Sequence, residues 1–328
     1  MTDRLYIIGN GFDMHHYLKT SYYDFAKFIK ENDKDLYDIL ESYISYPNSD
    51  KDLWARFEEN LANLDAEEIL SEHIDALPNY ASDDFRDRDR HVFPDVMREQ
   101  YENLTHGLFK AFRDFIKCVT FNDSAYSYKV EVDISSLFLT FNYTNTLEKL
   151  YNVDPKNIIY IHNSVYGNDD IILGHGIDPS NFEEKKLLPP DDLNDDELAR
   201  WNDEHDDYDY SYDEGKKTLM QYFKDTYKPT KDIIERHHYF FKSISDIREV
   251  FVLGHSISKV DLPYFIEVIK SLKQDCKWFV SYYSASERDK HLNTLKSLGI
   301  QESNITLFEL IDIQEKNKQL KIDFTTPI

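Results

Sequence analysis

Short apolar runs alternate with longer stretches of helical periodicity along this chain. The first apolar run, Arg4–Ile8, ends in a glycine-rich segment, which predicts a buried strand followed by a tight turn. From about residue 21 to about residue 119, apolar residues such as Leu104 and Leu108 recur every three or four positions, which predicts amphipathic helices. Since this stretch is too long for a simple crossover between two strands, we predict a helical insert or cap over residues 21–129.

The remainder of the chain alternates between strand-like and helical segments. Continuous apolar runs predict buried strands at 137–141, 158–162, 171–173, 250–253, 278–282 and 306–308. Helical patterns cover about 216–246, 262–272 and 286–298. Buried strands that alternate with helices are typical of parallel sheets covered on both faces. We therefore predict an α/β fold with a Rossmann-like, doubly wound, mainly parallel sheet formed by residues 1–20 and 130–328, and with the large helical insert after the first strand.

The chain is strongly acidic, with 62 Asp and Glu residues against 38 Lys and Arg residues and a net charge of −24. Such a surface repels a phosphate backbone, so we do not expect nucleic acid as the main ligand. Much of the excess lies in residues 183–215, which we predict to form an acidic surface excursion within the α/β domain. Because the start of the chain has no signal-peptide pattern and no apolar run is long enough to cross a bilayer, we expect a cytoplasmic protein without membrane contact.

Polar residues gather where the predicted strands end. In an open parallel sheet, ligands bind at the carboxyl ends of the strands. Histidine occurs at three of five such ends, although a turn needs only small or polar residues there. The candidates for ligand contacts are Gly9, Asn10, Gly11, Phe12, Asp13, Thr140, Asn142, Tyr143, His162, His175, Gly254, His255, Ser256 and Asp261.

Each of the main candidates also has a structural interpretation. Gly9 and Gly11 either form a tight turn or let backbone N–H groups approach a phosphate or a ribose. Asp13 either caps the following helix or holds a ribose hydroxyl or a water. Asn142 either binds turn backbone or orients a water or a sugar hydroxyl. His162 is either a core histidine or a ligand-facing imidazole that titrates near neutral pH and acts as a base.

The sequence does not favour a metal centre or two common classes of enzyme. The adjacent pairs His15-His16 and His237-His238 point apart on a helix, and the chain has no HExxH segment. It also has no Gly-x-Ser-x-Gly elbow and no Walker-type phosphate loop. We therefore expect no metal, and neither a serine hydrolase nor a P-loop NTPase.

Five segments together resemble the AbiH family of bacteriophage abortive-infection proteins. They follow one another over roughly residues 4–265 and are Leu5–Asp13, Trp54–Glu59, Phe141–Glu148, Gly174–Gly176 and Leu253–Ser256. The resemblance implies an anti-phage effector of the bacterial cytoplasm.

The order of the motifs is similar, more distantly, to that of sirtuin-like NAD-binding domains. Thr140–Tyr143, Ile161-His162 and Gly254–Ser256 match segments that surround NAD in such domains. This resemblance implies NAD as the ligand or substrate and hydrolysis of its N-glycosidic bond as the reaction. The chain departs from the pattern at Thr144, where such segments have an acid, and at Asn163, where they have a glycine. Two cysteines are too few for the zinc module of the deacylases, so we do not expect protein deacylation.

On this resemblance we expect Asn142 and His162 to be catalytic and the other candidates to contact NAD. Asn142 would hold the attacking water or a ribose hydroxyl, and His162 would accept a proton. Two other functions stay open: a nucleotide-sensing module that signals to a partner without turnover, and a toxin that acts on nucleic acid. Because an NAD hydrolase that is always active would harm its host, we also expect a homo-oligomer or a phage-derived trigger to control the activity.

Overall fold

A six-stranded, fully parallel sheet organises the larger part of the chain. The computed structural model describes residues 3–44, 53–183, 189–190, 193–194, 197–198, 200–201 and 209–315. The strands are β1 (Arg4–Ile8), β2 (Leu137–Thr140), β3 (Ile158–Tyr160), β4 (Glu249–Leu253), β5 (Lys277–Ser281) and β6 (Ile305–Phe308). Their order across the sheet is β3-β2-β1-β4-β5-β6, with every pair parallel. The predicted α/β fold with a Rossmann-like parallel sheet is therefore confirmed.

The strand order places a topological switch point between β1 and β4. The chain first builds outward from β1 to β3 and then returns to the other side of β1 to build β4 to β6. Ile8 at the end of β1 pairs with Thr140 of β2 and with Leu253 of β4. Because these residues are in register, the segments that follow β1, β2 and β4 all leave the sheet at one edge, which we call the carboxyl edge.

Helices occupy most of the chain between the strands. Before β2 lie α1 (Asn10–His15), α2 (Tyr22–Asn32), α3 (Lys34–Tyr43), α4 (Phe57–Asn60), α5 (Ala66–Glu72), α6 (Val92–Glu102), α7 (Leu108–Lys117) and α8 (Asp123–Ser127). After β2 lie α9 (Thr146–Tyr151), α10 (Tyr210–Met220), α11 (Tyr222–Asp225), α12 (Thr230–Arg236), α13 (His238–Ser243), α14 (Leu262–Ser271) and α15 (Ala285–Ser297). The helical character predicted between β1 and β2 is confirmed, as are the helices on either side of β5.

Alternate residues of β1 supply two separate cores, one on each face of the sheet. Leu5 and Ile7 are buried on one face with apolar residues of α12, α13 and α14. Tyr6 and Ile8 are buried on the other face with apolar residues of α1 and α9. Since both faces are covered, consecutive residues in the middle of a strand of this sheet are apolar, rather than every second one. This explains why the strands appear in the sequence as continuous apolar runs.

The chain forms two compact units. The sheet unit comprises Met1–Asn32, Phe109–Gly176 and Lys228–Ile328, and the second unit comprises Asp33–Leu108 and Ile177–Tyr227. The second unit therefore takes only the middle of the predicted insert 21–129, together with a later segment. Both ends of that insert, with the whole of α2 and all of α7 except Leu108, belong to the sheet unit.

Aromatic packing characterises the second unit. Gly215 of α10 lies so close to α6 that an added Cβ would come within 2.6 Å of the ring of Phe93. The hydroxyl of Tyr222, which is buried, donates to the backbone oxygen of Leu61 over 2.8 Å. These contacts join the early and late segments of this unit.

Two predicted segments, 171–173 and 183–215, differ from the structure or lie partly outside the described residues. The predicted strand at 171–173 is wrong: Ile171 and Leu173 are buried, but the segment has no regular strand conformation. Its backbone makes one bond to the chain after β3, from Ile172 N–H to His162 O, so its apolar residues fill the core without forming a strand. Most of the predicted excursion at 183–215 lies outside the described residues, and its last six residues belong to α10.

Among the described residues, no helix has the length and apolar character needed to cross a membrane.

Candidate functional site at the carboxyl edge

Glycines bring the segments after β1 and β4 into direct backbone contact at the switch point. Gly9 N–H donates to Leu253 O over 3.0 Å, and Gly11 N–H donates to Gly254 O over 2.7 Å. An added Cβ on Gly9 would lie 2.5 Å from His255 Cα, and one on Gly254, whose φ is +63°, would lie 2.0 Å from the backbone nitrogen of the residue after Gly11. Close approach of the two turns therefore accounts for these glycines, and the two N–H groups are used within the protein.

Asp13 is a buried carboxyl that is only partly hydrogen-bonded. It is 1 % exposed, and its Oδ2 accepts from the Thr144 hydroxyl over 2.6 Å. Burial raises the pKa of Asp13 to about 6, while hydrogen bonds from Thr144, Thr146 and Asn142 act in the opposite direction. Asp13 Oδ1 has no hydrogen-bond partner among the described residues. Asp13 does not cap α1, because the cap position is Gly9 and no side chain bonds there.

Asn142 joins the segment after β2 to the turn after β1. Its Nδ2 donates to Gly9 O over 3.1 Å, and its backbone N–H donates to Thr140 Oγ1 over 3.1 Å. Its Oδ1 is buried and has no hydrogen-bond partner in the described part of the chain. Asn142 therefore does bind turn backbone, as the structural interpretation predicted, and it keeps one acceptor atom open. We call Asp13 and Asn142 the acceptor pair.

His162, which follows β3, is a buried and neutral histidine. It is 3 % exposed and lies among aromatic rings, with its centroid 5.4 Å from that of Phe141 and 5.7 Å from that of Tyr264. Burial lowers its pKa well below 6.5, whereas a hydrogen bond to the backbone of Phe141 raises it. Nε2 has no hydrogen-bond partner among the described residues and lies 3.9 Å from Asp261 Oδ1. The neutral ring therefore presents a bare acceptor nitrogen to this carboxyl.

His255, which follows β4, reaches the same carboxyl from the other side. Its Nδ1 accepts the N–H of Ile257 over 2.9 Å, so the neutral ring carries its proton on Nε2. That Nε2 lies 3.7 Å from Asp261 Oδ2, which also accepts from the Ser258 hydroxyl over 2.9 Å. Burial raises the pKa of Asp261, while Lys228 and Ser258 act in the opposite direction. One carboxyl oxygen thus accepts the Ser258 hydroxyl and lies near His255, and the other faces His162.

Lys228 completes this arrangement and was missed by the sequence analysis. The side chain is fully buried in the sheet unit, and its positive charge lowers the pKa of both His162 and Asp261. It precedes α12, and its backbone N–H donates to His175 O over 2.8 Å. No motif or spacing marks this residue, because it comes from a connection between helices rather than from a strand end. We call His162, His255, Asp261 and Lys228 the histidine group.

Several predicted contact residues have positions that favour structural roles. Phe12 is fully buried, with its ring centroid 4.6 Å from that of His16 on the face of the sheet that holds α9. The Asn10 side chain donates to Thr20 O over 2.8 Å. Tyr143 donates its hydroxyl to Ile172 O over 2.8 Å, and its ring lies beside that of His162.

The two remaining candidates lie apart from the strand ends or at the surface. His175 is fully buried, but the segment before it is not a strand, so it does not follow a strand of the sheet. Ser256 is exposed, and its backbone oxygen accepts from Lys290 Nζ over 3.3 Å. Within the described residues, no three His, Cys, Asp or Glu side chains are placed so that they could hold a metal ion.

Comparison with protein families places a match over most of the chain. The family model described as "Bacteriophage abortive infection AbiH" matches residues 5–282. This range runs from the second residue of β1 past the end of β5 and includes the acceptor pair and the histidine group. Comparisons with curated proteins and with solved structures give no significant match.

Proposed function

Because the chain belongs to the AbiH family of bacteriophage abortive infection proteins, we propose that it is an anti-phage effector that binds NAD at its carboxyl edge and hydrolyses the N-glycosidic bond. The products are nicotinamide and ADP-ribose. The strand order supports this proposal, since dinucleotides bind at the switch point of sheets with this order. The sirtuin-like succession of motifs at 140–143, 161–162 and 254–256 supports the same ligand.

One observation carries the proposal. Asp13, Asn142 and His162 follow three neighbouring strands, and each has a buried acceptor atom that no described residue satisfies. A buried acceptor without a donor costs free energy, so such atoms indicate a missing hydrogen-bond donor. Ribose hydroxyls and an attacking water are donors. The residues therefore fit a ribose and its water better than they fit an anion.

Hydrolysis of NAD needs little activation of the leaving group, because the nicotinamide ring is positively charged. When the bond to the anomeric carbon breaks, its electron pair neutralises the ring nitrogen and leaves positive charge on the ribose. Asn142 holds the water or a ribose hydroxyl in place. The water oxygen then bonds to the anomeric carbon, and His162 Nε2 accepts its proton.

The histidine group suits this proton transfer. His162 is neutral at pH 7, because burial lowers its pKa, so Nε2 is free to accept a proton. The carboxyl of Asp261 lies 3.9 Å from that nitrogen and stabilises the imidazolium that forms. His162 afterwards returns the proton to solvent. The net reaction consumes NAD and water and releases nicotinamide, ADP-ribose and a proton.

The first test is nicotinamide release from NAD by the purified full chain. We expect Asn142→Ala and His162→Ala to lower the rate by about 10²–10⁴-fold each, as for other positioning and base residues. Asn32→Ala and His238→Ala are matched controls, since each removes a similar side chain that lies outside the candidate site and bonds a helix carbonyl. Unchanged release in both site variants would contradict the assignment. Saturable NAD binding without release would favour the sensing module instead.

The toxin alternative and the control of activity need separate measurements. A toxin acting on nucleic acid would bind it in a salt-sensitive way, which the net charge of −24 opposes. We propose that self-association or a phage-derived trigger prevents idle consumption of NAD. Full activity of a species with the mass of one chain, in the absence of phage components, would contradict this control.

A further inference from the structure

We propose that the acceptor pair, Asp13 and Asn142, binds the vicinal diol of a ribose through the two open oxygens Asp13 Oδ1 and Asn142 Oδ1. This inference rests on the proposed function for the identity of the nucleotide and names the part of it that these two residues recognise. It also assigns Asn142 to a ribose hydroxyl rather than to the water.

The hydrogen-bond inventory of the two side chains carries the argument. Asp13 and Asn142 are 1 % and 6 % exposed. Both lie at the turn after β1, because the Asn142 amide donates to Gly9 O and hydrogen bonding by Asn142 lowers the pKa of Asp13, so their open oxygens belong to one site. The Thr144 hydroxyl donates to the second oxygen of Asp13, and the amide nitrogen of Asn142 donates to Gly9 O. What is left is two acceptors and no donor. A vicinal diol offers two O–H donors on adjacent carbons, which matches that inventory.

The same inventory disfavours other ligands. A phosphate brings only acceptors and negative charge to a site that already consists of acceptors and a carboxyl. A metal ion would need further ligands, and no three His, Cys, Asp or Glu side chains of the described residues are placed to hold one. A single internal water also has two hydrogens, and the experiment below separates it from a diol. The diol must carry both hydroxyls, so a 2′-phosphate on the same ribose would prevent binding.

A carboxyl at this position opposes folding, which is unexpected for a residue with a packing role. Burial raises the pKa of Asp13, so its charged form is less stable in the folded protein than in the unfolded chain. The groups that lower this pKa are two threonine hydroxyls and an amide, which offset burial only in part. Polar groups that are kept at a cost to stability concentrate at functional sites.

Asp13→Asn in the full chain tests this directly. The amide oxygen can keep the bond from Thr144, while the NH₂ group replaces Oδ1 and turns an acceptor into a donor. We expect the affinity for ADP-ribose, measured by calorimetry, to fall by at least about 10-fold. We expect the Tm at pH 8 to rise. Asp24→Asn is the matched control, because Asp24 also accepts a hydroxyl bond, from Ser21, and should bind ADP-ribose as the wild type does.

A ligand series identifies the hydroxyls. NAD analogues that lack one 2′-hydroxyl, on either ribose in turn, should show one analogue that binds the wild type at least about 10-fold more weakly than NAD does. Asp13→Asn should discriminate less between that analogue and NAD than the wild type does, because one of the two contacts to the diol is already lost. Equal affinity of the wild type for NAD and both analogues would overturn the proposal. An internal water would then be the donor to the two open oxygens.

Other outcomes are equally decisive. Unchanged ADP-ribose affinity in Asp13→Asn would overturn the diol site, as would a lower Tm together with lower affinity, since that would make Asp13 structural. Failure of the wild type to bind ADP-ribose or NAD would overturn it too. If ADP-ribose binding depends on Asp13 but no nicotinamide is released from NAD, the diol site is supported and only the proposed hydrolysis of NAD is contradicted.

Discussion

The acceptor pair and the histidine group are buried to a similar degree at the same edge of the sheet, but their charges are balanced differently. In the histidine group, the positive charge of Lys228 lowers the pKa of the Asp261 carboxyl, and two neutral imidazoles lie on either side of this carboxyl. In the acceptor pair, hydroxyls and an amide are the groups that lower the pKa of the Asp13 carboxyl. Burial raises the pKa of both carboxyls. A cation opposes this rise at Asp261, whereas only hydroxyls and an amide oppose it at Asp13.

This difference suits the two groups to different tasks. A neutral histidine beside a carboxyl can accept a proton, and the carboxyl can stabilise the resulting positive charge. A carboxyl with one open oxygen can accept a hydrogen bond from a hydroxyl. The glycine contacts at the switch point hold the turns of the two groups together, because the turn before Asp13 packs on the turn that contains His255.

The largest effect is expected from Gly254→Ala, which breaks both groups at once. An added Cβ would lie 2.0 Å from Phe12 N, and the φ of +63° is strained for any other residue. We expect a loss of about 3 kcal/mol or more in the free energy of unfolding, measured by denaturant titration. Gly299→Ala is the control: its φ is +92°, but no atom lies within 4 Å of the added Cβ. Equal losses in both variants would mean that backbone strain, and not contact between the turns, requires glycine.

The next largest effect is expected when a substitution removes the cation from the histidine group. Lys228→Met should remove the group that most lowers the pKa of the buried Asp261 carboxyl, and should lower the free energy of unfolding at pH 7 by about 3 kcal/mol. Adding Asp261→Asn to this variant should restore part of the loss, because the two changes act on one interaction. Lys224→Met, at an exposed position of α11, should change stability little. Strictly additive losses in the double variant would contradict the coupling.

In the acceptor pair, replacing the charged residue should raise the free energy of unfolding instead of lowering it. The pKa of Asp13 is about 6 in the folded protein and 3.8 in an unperturbed carboxyl, so folding favours the protonated form. This contribution to stability is complete below pH 3.8 and is lost as the pH rises to about 6. Asp13→Asn should therefore raise the free energy of unfolding by about 3 kcal/mol at pH 8, relative to its effect at pH 3.

The charged and titratable neighbours of Asp13 do not blur this window. Tyr151, Tyr160 and Tyr166 are the groups that sense its charge, and the pKa of each is raised above 10.0. They stay protonated between pH 3 and pH 8. The measurement is the difference in unfolding free energy between wild type and variant at several pH values, and a constant difference would contradict the raised pKa of Asp13.

The smallest effect concerns the ring beside His162. Tyr143→Phe removes one hydroxyl bond, to Ile172 O, but keeps the ring next to the imidazole. We expect a loss of about 1 kcal/mol in the free energy of unfolding and a much smaller drop in nicotinamide release than in His162→Ala. Tyr239→Phe, whose side chain is 77 % exposed, should change neither quantity.

Much of this arrangement could be predicted from the sequence, because parallel strands end at one edge. The apolar runs located all six strands, and the residues after them brought Asn142, His162 and His255 to the candidate site. The run at 171–173 failed, since burial of alternate side chains does not by itself require a strand. Periodicity alone cannot separate a short buried strand from a buried loop.

Contacts between distant segments could not be predicted. Thr144 was interpreted as the loss of an acid, but its hydroxyl donates to Asp13, 131 positions away, so an acid from another segment stands beside it. Lys228 lies between helices, where no strand-end argument applies. Asp261 was assigned to ligand contact from its position near the turn after β4, and its location between two histidines follows only from the fold.

The most direct test of the central claim is the NAD content of bacteria during phage infection. Cells with the wild-type chain should lose NAD and accumulate ADP-ribose after infection, while cells with His162→Ala should keep their NAD and lose protection. His238→Ala should behave as the wild type does. Protection by the wild-type chain with an unchanged NAD content would contradict the account.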